Sequence, residues 1–120
     1  MKRLTVLYDA DCALCRRARD WLGRQTQLAQ LRFVAAGSEA ARRLYPTLDH
    51  ERTLAEITVI GDGGEVFRGA KAWVVCLWAL ADYRSVAFTL RSPTAWWAAK
   101  QFVDSVAKNR HKLALPGDGR

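Results

Sequence analysis

Two cysteines three positions apart, Cys12 and Cys15, stand where an apolar, β-favouring run meets the start of an amphipathic helix. The run Leu4-Thr-Val-Leu-Tyr8 reads as a nearly continuous apolar strand, as expected for a strand covered on both faces. Asp9, Ala10 and Asp11 form a tight polar connection. Beyond it, Leu14, Cys15, Ala18, Trp21 and Leu22 recur at the spacing of one helical face, while Arg16, Arg17, Arg19, Asp20 and Arg24 fall on the others. The cysteines therefore occupy the first turn of a helix that directly follows a strand. Free N–H groups and a partial positive charge at a helix start favour a thiolate over a thiol. One turn of helix also brings the two sulfurs within reach of a disulfide. In such a pair one thiolate can attack a substrate disulfide and the other can resolve the mixed disulfide.

The same two residues fit other chemistry. A zinc or iron–sulfur site needs further ligands, and Cys76, His50 and His111, the natural candidates, are not paired at ligand spacing. Two inert buried thiols are the third reading. In the redox reading Cys12, at the helix start, is the more exposed sulfur and the nucleophile; Cys15, on the face of Ala18 and Leu22, is partly covered and resolves. Asp9 lies three residues before Cys12, where it accepts a proton or orients a cysteine, or binds free N–H groups of the turn. Asp11 is expected as the N-cap. Both carboxylates oppose a thiolate; the helix end and Arg16 favour it. Ala13-Leu14, between the cysteines, offers an apolar docking surface or core packing. Cys76, inside the apolar run Ala72 to Ala81, reads as a small buried core residue.

Further along, Leu31 to Ala35 is a second strand, parallel to the first through a right-handed crossover. Ser38 caps a short helix, Glu39 to Tyr45, stopped by Pro46. Thr47 to Glu56 reads as irregular or one loose helical turn near the cysteines. Ile57 to Ile60 is a strand, Gly61-Asp-Gly-Gly64 a turn, and Glu65 to Arg68 an antiparallel return. Gly69 opens a helix, Ala70 to Asp82, apolar on nearly every side and hence buried. Tyr83 to Arg91 is a connection or short helix. Ser92-Pro93 starts a last helix, to about Lys108, with Trp96, Ala99, Phe102, Val103 and Val106 on one face. Adjacent Trp96 and Trp97 cannot share a face, so one of them is expected in solvent. Asn109 to Arg120 is expected to fray.

A chain of 120 residues without repeat or linker reads as one domain, residues 1–120. Met1-Lys-Arg runs directly into the first strand, and the longest apolar stretch has about ten residues where a membrane span needs about 20. Three cysteines in this context predict a reducing, cytoplasmic setting. The net charge of +7 is uneven: residues 1–67 carry ten Lys/Arg against nine Asp/Glu, and residues 68–120 nine against three. Because the bases form no dense run, nucleic acid is not an expected partner. Around one exposed tryptophan, Lys100, Lys108, Arg110 and Lys112 give either a solvated surface or a patch for an acidic protein or membrane surface. On that patch rests the alternative to an enzyme, a non-catalytic interaction module.

Asp9-x-x-Cys12-x-x-Cys15 after a strand resembles the motif of the DCC family of thiol-disulfide oxidoreductases, named for Asp-Cys-Cys in that spacing. Ile57 to Gly69, a strand-turn-strand entering an apolar helix, and the tail Val106-Ala-Lys-Asn-Arg-His-Lys112 are also similar to it. The resemblance covers most of the chain and is most specific in the first motif. It implies a thioredoxin-like α/β fold, a mixed four-stranded sheet flanked by helices, and a redox role for Cys12, Cys15 and Asp9 on a protein or small-molecule disulfide. No tightly held cofactor and no metal are implied. Thioredoxin-like redox proteins usually carry a cis-proline before the strand facing the cysteines. Here that stretch is Ala55-Glu-Ile-Thr58, so Thr58 or the backbone around Ile57 is expected to serve instead.

Overall fold

The computed structural model describes residues 2–109. The elements run β1 (Arg3–Tyr8), α1 (Ala13–Arg24), β2 (Gln30–Ala35), α2 (Glu39–Leu44), α3 (His50–Ala55), β3 (Thr58–Gly61), β4 (Val66–Arg68), α4 (Ala70–Trp78), α5 (Arg84–Thr89) and α6 (Pro93–Asn109). The four strands form one mixed sheet in the order β2-β1-β3-β4. β1 pairs parallel with β2, with Leu4 beside Leu31 and Val6 beside Phe33. It pairs antiparallel with β3, with Val6 opposite Val59, and β3 pairs antiparallel with β4. The result is the expected thioredoxin-like arrangement, a mixed four-stranded sheet flanked by helices.

The two-residue period of β1 divides the core. Leu4 and Val6 join Leu31, Val59 and Leu22 in one cluster, completed by Ala72, Cys76 and Leu80 from α4 and its end. Leu7 and Ile60 point to the other side, against Ala41 of α2 and, less deeply buried, Leu54 of α3. Strands buried on both faces explain the lack of polar alternation in β1. The β3–β4 connection is the glycine turn: Gly64 donates its N–H to the Gly61 carbonyl at 3.0 Å with φ of +90°, a conformation open to glycine and costly for other residues.

The structure departs from the sequence reading at α3, at the end of α4 and in the burial of α6. Thr47 to Glu56 contains a true helix, α3, because Asp49 caps it by accepting the Arg52 N–H at 3.2 Å and because His50 and Thr53 are buried. α4 ends at Trp78 and not Asp82, since the next residues pair with the α1–β2 loop. Leu28 donates to the Ala79 carbonyl at 2.7 Å, and Ala81 donates to Thr26 at 2.9 Å. Tyr83 to Arg91 contains the short helix α5. α6 starts at Pro93 as expected, but none of its residues is buried, and Phe102, expected on the core face, is 70% exposed at the edge of the apolar stripe. Trp97 is the exposed member of its pair and Trp96 the half-buried one. Most of the basic tail, residues 110–120, lies outside the described residues, and with it Arg110, Lys112 and most of the segment expected to fray.

Candidate active site

The site forms where β1 ends and α1 begins. Asp9, 8% exposed, closes the connection twice: its Oδ1 accepts the Asp11 N–H at 3.0 Å, and its carbonyl accepts the Cys12 N–H at 3.2 Å. Because that turn uses the Asp11 N–H, the helix cap falls one residue later than expected. Cys12, not Asp11, is the N-cap, with φ −102° and ψ 119°, and its Sγ accepts the Cys15 N–H at 3.3 Å. The sulfur thereby takes up one of the helix-start N–H groups that have no partner within the helix. The turn is held from outside by Arg16, whose guanidinium donates to the Ala10 carbonyl at 2.8 Å.

Exposure reverses the expected order of the two sulfurs. Cys12 is buried, 1% exposed, whereas Cys15 is half-buried; all three cysteines are free thiols. The N-cap position turns Cys12 inward beneath the first turn of α1. Cys15, one turn along, lines two openings. One is a small cavity of about 30 Å³, with Asp9, Tyr8 and Thr53 among its walls. The other is a half-open groove of about 570 Å³ between α1 and α6, with Ile57, Trp73 and Phe102 among its walls. Arg19 stands over the Tyr8 ring at 4.9 Å, donates to its hydroxyl at 2.8 Å, and pairs with Asp20 at 2.7 Å.

The structure brings Cys12, Cys15 and Asp9 together and leaves the third cysteine apart. Cys76 is 0% exposed in α4, as expected, and burial pushes its thiol up to about 12. Of the two positions expected to stand in for a cis-proline, Ile57 lines the groove beside Cys15; Thr58 is fully buried in β3, because the strand's alternation turns it to the opposite face of the sheet. Among the described residues no three His, Cys, Asp or Glu side chains converge as metal ligands would. His50 is buried, with Nε2 at 2.8 Å from the Tyr45 carbonyl, and His111 lies outside the described residues. Sequence reasoning missed Thr53 and the α6 wall. Asp49 as a cap, with Glu51 in the first turn, was the available signal for the first; for the second it was the apolar face of Phe102, Val103 and Val106.

A family model for DCC1-like thiol-disulfide oxidoreductases matches residues 6–115, nearly the whole chain. The chain belongs to that family. The match begins in β1 and so takes in the turn, both cysteines, the glycine hairpin and α6. No curated protein and no solved structure matches the chain. Family membership makes this a protein of thiol–disulfide chemistry with disulfide-containing substrates, and among the described residues no helix is long and apolar enough to cross a membrane.

Proposed function

We propose that Cys12 and Cys15 form a dithiol–disulfide couple that reduces a disulfide substrate arriving from the groove between α1 and α6. The observation that carries this reading is the Cys15 N–H donated to Cys12 Sγ at the helix start, with Cys15 itself at the mouth of the groove. In this reading Cys15 makes the first contact, because a buried sulfur cannot align with a substrate disulfide unless the turn moves. The Cys15 thiolate attacks one substrate sulfur and displaces the other. Cys12, oriented by the Cys15 N–H, then loses its proton, attacks Cys15 and releases the second substrate sulfur. Asp9 is the supporting group. Its backbone carbonyl and carboxylate fix the turn that places Cys12, and it shares the small cavity with Cys15, where it can take up the thiol proton.

The test uses Cys12→Ser and Cys15→Ser, each incubated with a small aryl disulfide and resolved by non-reducing mass spectrometry. A stable adduct on Cys15 in the Cys12→Ser protein, with little adduct in the other, is the expected result. An adduct on Cys12 alone assigns the attack to Cys12 and requires the turn to open. If the wild type reduces nothing and neither variant forms an adduct, the oxidoreductase reading is wrong, and a binding module that has kept the fold takes its place.

A further inference from the structure

The groove beside Cys15 has a chemical character that selects among disulfides, and the inference drawn from it rests on the dithiol reading above. Its walls are mainly apolar: Leu14 of α1, Ile57 before β3, Trp73 of α4, and Phe102 and Val106 of α6. Among the described residues that line it, only Glu56 and Asp104 are charged, and both are carboxylates. Each is ion-paired along its own chain segment, Glu56 to Arg52 at 3.1 Å and Asp104 to Lys100 at 2.7 Å, while neither base lines the groove. An anionic disulfide would thus bring carboxylates onto apolar walls and beside two acids whose paired bases lie outside the lining, with no base among the described lining residues to meet them. An apolar segment gains by the same burial, above all on Phe102, which now stands 70% exposed. The α6 wall runs from Phe102 to Ala107, about 7.5 Å at helical rise, which matches two to three residues of extended chain.

We propose that the substrate disulfide is carried by an extended, apolar, neutral or basic polypeptide segment lying in the groove between α1 and α6, and that glutathione disulfide is a poor substrate. Two or three side chains of the segment pack against Ile57, Trp73, Phe102 and Val106 while its cysteine meets Cys15. In the exchange the Cys15 sulfur bonds to the segment's sulfur, the substrate S–S bond breaks, and the partner sulfur leaves as a thiolate that takes up a proton. Attack by Cys12 on Cys15 then frees the segment's sulfur, which is protonated in turn. The substrate gains two electrons and two protons, and the protein is left with a Cys12–Cys15 disulfide.

Two measurements separate this inference from the redox reading. The first needs no chemistry: a fluorescein-labelled Leu-Val-Cys-Leu-Lys amide with its thiol S-methylated is titrated with the full chain by anisotropy. Saturable binding that Phe102→Glu weakens about tenfold supports the groove; the high exposure of Phe102 lets that variant fold, which circular dichroism checks. No binding, or binding indifferent to Phe102→Glu, overturns the inference even where the cysteine pair is redox-active. The second compares oxidation of the reduced protein by the symmetric disulfide of the unmethylated peptide and by glutathione disulfide, each normalised to its rate with dithiothreitol. The peptide is expected to be faster by about tenfold or more, and equal rates overturn the substrate assignment. Binding of the methylated peptide without oxidation by either disulfide overturns the assignment together with the dithiol reading. A concentration-dependent dimer that Phe102→Glu dissociates gives the groove to a second copy of the chain and also overturns it.

Discussion

The groove has two helical walls that are held in opposite ways. α1 follows β1 through a four-residue connection, is fixed at its start by the Asp9 and Cys12 hydrogen bonds, and sinks Leu22 into the core at 1% exposure. α6 is longer, 17 residues against 12, yet buries none of them, and it packs mainly on α4. Helix length therefore does not measure how firmly a helix is anchored; apolar area delivered to the core does. The wall that carries the cysteines is set by the sheet, and the opposite wall is a half-buried stripe with Phe102 left in water.

The largest test of that contrast is truncation on each wall. Leu22→Ala is expected to cost about 2–5 kcal/mol in denaturant unfolding, whereas Trp97→Ala, at a residue 64% exposed, stays within about 0.5 kcal/mol. Equal losses would show α6 to be as firmly anchored as α1.

A smaller effect sharpens the contrast from inside. Burial holds the Cys76 thiol at about 12, above its ordinary value of 9.0, so the folded state keeps a proton that the unfolded chain releases. The stability that Cys76 contributes is present below about pH 9 and is lost as pH rises toward 12, with a slope of at most about 1.4 kcal/mol per pH unit. Unfolding of Cys76→Ala over that range should lack this component. In the native protein at pH 8, iodoacetamide should label Cys15 well before Cys76, with Cys76 reacting only after denaturation.

The smallest expected effect is at the helix that closes the small cavity from a third side. Asp49→Ala removes the cap of α3 and should lower stability by about 1 kcal/mol. Because Thr53 of α3 lines the cavity with Cys15, the variant should also speed Cys15 alkylation. An unchanged alkylation rate would mean that the position of α3 is held by Leu54 and Thr53 without its cap.

The order of strands and most helices was legible because each rests on local physics. Leu4 to Tyr8, the glycine turn, Ser38 as a cap and Ser92-Pro93 as a start each act through neighbours in sequence. Gly69 also belongs here: at φ of +60° it begins α4, and its N–H meets the Ile57 carbonyl at 3.0 Å. The candidate site was legible to the same depth, since Asp9, Cys12 and Cys15 lie within seven residues. α3 was obscured because its polar sequence has weak periodicity and its burial comes from the sheet. The end of α4 was obscured because the pairing that stops it comes from residues 26–29.

The sequence by itself determined the strand-to-helix turn and the two thiols in it, because hydrogen bonds at a helix start depend on a few adjacent residues. Only the tertiary structure decided which sulfur faces outward. Exposure is a property of everything packed around an atom: Cys12, the cap, is 1% exposed, and the approach of α6, more than eighty residues away, made a groove beside Cys15.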